Sequence, residues 1–182
     1  MSRLRLAILD ANIVIYLHQL GIWPQVADRC EIILARTVAE HEVLFYEVDD
    51  QRHEIDLSKD IAESRVQVVD VLASEVVKFR SRFDPLYLEG LHAGETESLV
   101  YLALNAQTDA NVCSADKVVF RVLPHLGLTD RGISLEELLA KVGLGRSLPY
   151  VYSRAFREHW TRRGQQDWIG GIGTQRDGGS SS

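Results

Sequence analysis

Short apolar runs that stop at polar residues alternate along this chain with stretches in which apolar residues recur every three or four positions. The first run, residues 5–9, ends at Asp10, and similar runs occupy residues 30–35, 65–71 and 111–116. Mainly apolar runs of this length, interrupted here by single polar residues such as Glu31 and Gln67, are typical of strands that are buried in a parallel sheet. We therefore expect four strands at these positions.

Amphipathic stretches lie between these runs. In residues 11–21, Ile13, Tyr16, Leu17 and Leu20 fall on one face of a helix that ends at Gly21. Helical spacing also predicts helices within residues 36–46, 72–83, 94–107, 116–127 and 134–143.

Polar residues that border these helices suggest where the helices begin. Thr37 is the expected N-cap of the helix within 36–46, and Ser134 with Glu137 has the spacing of a capping box. Between the first two of these helices, residues 47–57 resemble a polar hairpin that turns at Asp49 and Asp50.

The alternation of strands and helices predicts an α/β fold, a three-layer α/β/α sandwich around a small, mainly parallel sheet. A length of 182 residues suits one domain. We expect that domain at 1–145, with the hairpin near 46–57 as an insertion. Residues 146–182 form a tail that we expect to be helical at first and then, in its Gly/Ser-rich end, disordered.

Composition narrows the expected environment. No window approaches the roughly 18 apolar residues of a membrane span, so we expect a soluble, cytoplasmic protein. Cys30 and Cys113 both lie in or beside predicted strands, which suggests reduced core thiols. No histidine pairs with a cysteine at a zinc-type spacing.

Charge is distributed unevenly over the chain. Residues 146–182 carry six arginines and three carboxylates, a net charge of +3. Since the whole chain has a net charge of −6, residues 1–145 carry −9. Such an acidic body repels nucleic acid unless bound cations and a few local arginines offset the repulsion.

Several carboxylates are expected at one edge of the sheet. Asp10 ends the first strand, Asp116 ends the strand within 111–116, and Glu95 and Glu97 open the helix that leads into that strand. Glu42, or alternatively Glu40, lies in the helix after the second strand. Because the carboxyl ends of parallel strands meet at one edge, these acids should converge on a single cleft.

Converging carboxylates without histidine or cysteine favour a hard cation such as Mg²⁺ or Mn²⁺, which relieves their mutual repulsion. Such ions activate water and stabilise charge on a phosphodiester. The residues thus predict a metal-dependent nuclease.

The segments "LDANIVIYL", "GETESLVYLAL" and "CSAD", in this order and with an acid after the second strand, resemble the PIN-domain family. Its best-known bacterial members are the VapC-like ribonuclease toxins of toxin–antitoxin pairs. The resemblance covers residues 5–143 and implies a Mg²⁺- or Mn²⁺-dependent endoribonuclease that acts on RNA, forms a homodimer and binds a protein antitoxin.

The resemblance also implies roles for individual residues. The metal-binding and catalytic acids would be Asp10, Glu42, Glu97 and Asp116, with Glu95 a close rival of Glu97. Asn12 and Ser114 would hydrogen-bond these carboxylates. A glutamate at the third position departs from the aspartate that is commoner in the toxins.

Other readings of these residues remain open. Glu95 and Glu97 could be partners of the helix dipole, Asp116 could be only an N-cap, and Asn12 and Ser114 could be ordinary turn residues. A second hypothesis is a non-catalytic PIN-like module that binds RNA or protein. A third is a phosphatase with Asp10 as nucleophile, although "DAN" lacks the second aspartate two positions on. The tail could contact phosphates and bases, or pack on a partner.

Overall fold

The computed structural model describes residues 4–175, with side chains from residue 8 onward, and contains seven short strands and eight α-helices. The strands are β1 (Leu4–Leu9), β2 (Cys30–Ala35), β3 (Phe45–Val48), β4 (Gln51–Glu54), β5 (Val66–Val69), β6 (Val112–Cys113) and β7 (Gly132–Ile133). The α-helices are α1 (Ala11–Gln19), α2 (Trp23–Arg29), α3 (Ser58–Ala62), α4 (Ala73–Ser81), α5 (Ala93–Leu104), α6 (Lys117–Val122), α7 (Leu135–Lys141) and α8 (Arg154–Ile169).

Five of the strands form one parallel sheet in the order β5-β2-β1-β6-β7. The sheet and its flanking helices confirm the expected α/β fold, consistent with a three-layer sandwich. The four predicted strands correspond to β1, β2, β5 and β6. β7 was not anticipated, because a strand of two residues leaves no periodic signal in the sequence.

Two hydrophobic cores lie on opposite faces of this sheet. Ile8 packs in one core with side chains of α4, α5, α6 and α8, and its neighbour Leu9 packs in the other core with side chains of α1, α2 and α7. Successive strand residues point to opposite faces, so the end of β1 is buried on both sides, at Ile8 and at Leu9. This burial explains why the strand ends in apolar residues without alternation.

The segment after β2 differs from the expectation. A helix was predicted within 36–46, and residues 36–42 are helical, but the helix is shorter than expected and π-helical over Val38–Glu42 before the chain extends into β3. Thr37 is not the expected N-cap, because its side chain makes no capping hydrogen bond. The sequence also gave no indication of α2, which begins with Trp23 and Pro24 directly after the turn at Gly21.

The predicted hairpin is confirmed. β3 pairs antiparallel with β4, and the turn residues Asp49 and Asp50 have φ angles of 51° and 60°. The expected capping box of α7 is also present, because the Ser134 hydroxyl accepts from the backbone N–H of Glu137, whose carboxylate accepts from the backbone N–H of Ser134.

The tail is helical, as expected, but order extends beyond the helix. α8 ends at Ile169, and the chain then pairs at Thr174 with Phe83. The backbone N–H of Gln175 also donates to the carbonyl of Arg82 at 3.1 Å. The expected disorder therefore does not hold as far as residue 175, and residues 176–182 lie outside the described residues.

Both cysteines are buried and free of disulfides, as expected. Burial raises the pKa of the Cys113 thiol well above its usual value, which keeps it in the unreactive protonated form. Within residues 4–175, no helix combines the length and the apolar character needed to cross a bilayer.

Candidate functional site: a buried cluster of carboxylates

Asp10 lies at the carboxyl end of β1, beside the carboxyl end of β6. Its backbone N–H donates to the carbonyl of Cys113 at 3.1 Å, which extends the pairing of the two strands by one residue. The Asp10 side chain is only 3% exposed, and its Oδ2 accepts a hydrogen bond from the Ser114 hydroxyl at 2.9 Å. Parallel pairing thus brings together two residues that are 104 positions apart.

Asp116 is held by the same turn. Its backbone N–H donates to the Ser114 hydroxyl oxygen at 2.9 Å, so Ser114 joins Asp10 to Asp116. The Asp116 carboxylate also accepts from the backbone N–H of Val118 at 2.6 Å and caps α6. The capping interpretation is therefore correct for Asp116, and it is compatible with membership of the acidic cluster.

Glu95 enters from the first turn of α5. Its carboxylate accepts from the backbone N–H of His92 at 2.9 Å, and its side chain is 3% exposed. The imidazole Nδ1 of His92 lies 3.5 Å from the same carboxylate.

Glu42 arrives from the π-helical turn, where its Oε1 accepts from the backbone N–H of Gly94 at 3.1 Å. A Cβ atom at Gly94 would overlap the Glu42 carboxylate and would lie 2.5 Å from Cγ2 of Val38. Only glycine therefore lets the start of α5 approach Glu42 so closely.

These four carboxylates, the acidic cluster, interact electrostatically. The pKa of Asp10 is raised to about 6, mainly by burial and to a smaller extent by the negative charges of Asp116 and Glu42, while the hydrogen bonds from Ser114 and Asn12 lower it. Burial also raises the pKa of Glu95 to about 8, with a contribution from the charges of Asp10, Asp116 and Glu42. The fold thus holds the ionised carboxylates together at a cost in free energy that their hydrogen bonds offset only in part.

The structure distinguishes between the rival glutamates. Glu97 turns to Thr37, whose hydroxyl donates to it at 2.6 Å, whereas Glu95 faces Asp10. Glu40 is exposed and pairs with Arg36, whereas Glu42 belongs to the cluster. Asn12 is itself exposed, and only its backbone N–H contacts Asp10, at 3.4 Å.

Tyr152 lies beside the acidic cluster and was missed by sequence reasoning. Its ring stacks on that of Tyr16 with centroids 4.1 Å apart. Burial raises the pKa of Tyr152, with smaller contributions from Tyr16 and from Asp10. Tyr152 belongs to the tail, outside the family resemblance, so no motif could have placed it beside Asp10.

The donor chemistry of the cluster suits a hard divalent cation, because every ligand is a carboxylate oxygen. Among the described residues, no lysine or arginine forms an ion pair with any of the four carboxylates. The negative charge of the cluster is therefore not neutralised by a lysine or arginine of the described residues. Within the same residues, no group of three or more His, Cys, Asp or Glu side chains has the geometry of a metal site, so a bound cation would have to draw the four carboxylates closer together.

Comparison with known proteins identifies no relative of this chain. No protein-family model matches it, and neither the curated proteins nor the solved structures contain a match. The interpretation of the site therefore rests on its own geometry and chemistry.

Proposed function

We propose that this protein is a Mg²⁺- or Mn²⁺-dependent endoribonuclease of the PIN-like type, with Asp10, Glu42, Glu95 and Asp116 as the metal-binding carboxylates. The observation that carries the proposal is the convergence of four acids from four separate segments, held by hydrogen bonds through Ser114, His92 and Gly94. Burial, which raises the pKa of Asp10 and Glu95, supports it. Titratable groups with strongly shifted pKa values concentrate at functional sites, because catalysis and binding require them there, whereas stability alone would favour uncharged residues.

The surrounding groups orient the carboxylates rather than neutralise them. Ser114 leaves Oδ1 of Asp10 contacted only by a long backbone hydrogen bond from Asn12, and the N–H of Gly94 contacts one oxygen of Glu42. One oxygen of Asp10 and one of Glu42 thus remain available for a cation. Ligands that are held in this way lose little conformational freedom on binding.

Bound cations would supply the chemistry, by activating water and by stabilising negative charge on a phosphodiester. They would also offset the repulsion between RNA and a chain with a net charge of −6. The homodimer and the protein antitoxin implied by the family resemblance remain predictions.

Cleavage of a mixed fluorescent RNA by the purified protein tests this function. We expect cleavage with Mg²⁺ or Mn²⁺, none with EDTA, and a loss of at least 100-fold in Asp10→Asn and Asp116→Asn. Asparagine at 116 retains a side chain that can cap α6, so that variant should remain folded. Glu40→Gln, which removes an equal charge from an exposed site, is the matched control.

Two results would overturn the proposal. One is a folded wild-type protein that cuts no RNA with either metal, which would favour a non-catalytic binding module. The other is cleavage that persists in EDTA or in both aspartate variants, because the activity would then arise elsewhere.

A further inference from the structure

A basic cleft of about 590 Å³ lies along the packed pair of helices α6 and α8, outside the acidic cluster. It is lined by Arg121, His159, Trp160, Arg162, Arg163 and Gln166. No carboxylate lines it, although the whole chain has a net charge of −6. The cleft is thus a concentration of positive charge on an acidic protein.

Close packing of the two helices creates this cleft. Gly164 of α8 lies so near the backbone of Arg121 that a Cβ atom there would be 2.8 Å from the Arg121 Cα. The absence of a side chain at this point brings the neighbouring residues of α8 against α6. One turn before Arg121, the Lys117 ammonium lies 5.6 Å from the centre of the Trp160 ring.

The cleft lies near the acidic cluster. Asp116 is the N-cap of α6, and Lys117 is the first residue of the helix. A chain that follows α6 from Asp116 would meet Lys117 and Trp160 first and the arginines of the cleft afterwards. The Trp160 end of the cleft therefore lies beside Lys117, the residue that follows Asp116.

The positive charge of the cleft is only partly neutralised within the protein. Asp167, which is 1% exposed, pairs with Arg121 at 2.7 Å and with Arg163 at 3.3 Å, so one carboxylate serves two guanidinium groups. Arg162 is exposed and pairs with no described residue. A net positive charge thus faces solvent.

We propose that the cleft binds single-stranded RNA beside the acidic cluster, with phosphates at Arg162 and Arg163 and a base against Trp160. This inference rests on the proposed nuclease function and names the surface that holds the substrate. Guanidinium groups bind phosphate oxygens strongly, and an aromatic ring in a basic groove stacks on unpaired bases. A duplex keeps its bases stacked inside, so the ring favours a single strand.

The alternative occupant is an acidic segment of a protein. Arginines alone would suit either ligand, but the tryptophan ring and the approach of the cleft to Asp116 favour RNA. Binding of a glutamate-rich peptide is therefore one outcome of the test.

The test measures the Kd of the full chain for a fluorescent 2′-O-methyl oligouridine. EDTA is present so that the oligonucleotide is bound but not cleaved. We expect Arg162→Gln to raise Kd by about threefold to tenfold and to lower the slope of log Kd against log salt by about 0.7, the value for one phosphate contact with a single strand. The matched control is Arg146→Gln, which removes the same charge from an exposed position outside the cleft and should change Kd by less than about twofold.

Tryptophan fluorescence gives a second readout. The chain has three tryptophans, and we expect the oligonucleotide to quench the wild type. The quench should disappear in Trp160→Phe, a variant that retains a ring to pack against Phe156. A quench that persists in Trp160→Phe would contradict stacking on this ring.

The outcomes separate this inference from the function on which it rests. The proposal that the cleft binds RNA would be overturned, even if the protein cleaves RNA, by equal Kd values for Arg162→Gln and Arg146→Gln. It would also be overturned if the glutamate-rich peptide bound in preference to the oligonucleotide. Weakened binding in Arg162→Gln alone would support the cleft even if no cleavage were found, and the nuclease proposal would then fail by itself.

Discussion

The Ser114 hydroxyl donates a hydrogen bond to Oδ2 of Asp10 at 2.9 Å and, through its oxygen, accepts one from the backbone N–H of Asp116. Ser114 is fully buried. One side chain thus fixes the relative position of two acids that follow the carboxyl ends of the neighbouring strands β1 and β6.

Replacement of Ser114 by alanine tests this role. Because the hydrogen bond from Ser114 lowers the pKa of Asp10, Ser114→Ala should raise that pKa above its value of about 6. We also expect a loss of about 1–3 kcal/mol in the free energy of unfolding, since Asp116 loses a buried partner. Carboxyl ¹³C NMR titration measures the pKa, and urea unfolding measures the stability.

Ser81→Ala is the control for this variant, because the exposed Ser81 hydroxyl contacts only a carbonyl of its own helix. An unchanged Asp10 pKa in Ser114→Ala would show that the hydrogen bond does not orient the carboxylate.

The raised pKa values predict an unusual dependence of stability on pH in the absence of metal. Asp10 and Glu95 have folded-state pKa values of about 6 and 8, above their ordinary values of 3.8 and 4.5. The folded state therefore binds more protons than the unfolded state between those values. The free energy of unfolding should accordingly fall as pH rises from about 4 to 8.

Glu95→Gln should remove part of this loss, because glutamine can still accept from the backbone N–H of His92 without carrying charge. We expect the variant to be more stable than the wild type by about 2 kcal/mol at pH 8.5 in EDTA, with no gain near pH 4. Glu89→Gln, at an exposed position, is the control. A wild-type stability that rises from pH 5 to 8 would contradict the buried, unpaired state of these acids.

Gly94→Ala should disrupt the cluster without changing its chemistry. The added Cβ would overlap the Glu42 carboxylate and the side chain of Val38, so α5 or the π-helical turn must move. We expect RNA cleavage to fall at least tenfold. Gly145→Ala is the control, since its Cβ would have no neighbour nearer than 3.8 Å. Full activity in Gly94→Ala would show that the contact between α5 and Glu42 is dispensable.

Gly164→Ala should destabilise the packing of α8 on α6. Alanine is the better helix former by about 0.5–1 kcal/mol, but its Cβ would lie 2.8 Å from backbone of Arg121, which cannot rotate away. We expect a net loss of about 1–3 kcal/mol in the free energy of unfolding, measured in urea. A stabilised variant would mean that the two helices can separate at little cost.

The parts of the site that could be read from the sequence are those set by strand ends. Asp10, Ser114 and Asp116 follow apolar runs directly, so parallel pairing alone brings them to one edge. The same logic located β1, β2, β5 and β6. The capping box of Ser134 and Glu137 could also be predicted, because it is a local sequence pattern.

The parts that could not be read depend on tertiary contacts. Glu95 and Glu97 are both acids in the first turns of α5, and a separation of two residues turns them about 200° apart around the helix. Only the packed structure decides that Glu95 faces Asp10 and that Glu97 faces Thr37. Tyr152 likewise comes near enough to interact electrostatically with Asp10 only because the tail folds back on the domain.

The central claim is that Asp10, Glu42, Glu95 and Asp116 hold a divalent cation, and calorimetric titration with Mn²⁺ at pH 7.5 tests it most directly. We expect binding with proton release, because burial leaves protons on Glu95 that the cation must displace. Glu95→Gln should weaken binding at least tenfold, whereas Glu97→Gln, the same change two residues away, should alter it by less than about twofold. Absence of binding at millimolar Mn²⁺, or equal losses in both variants, would contradict the account.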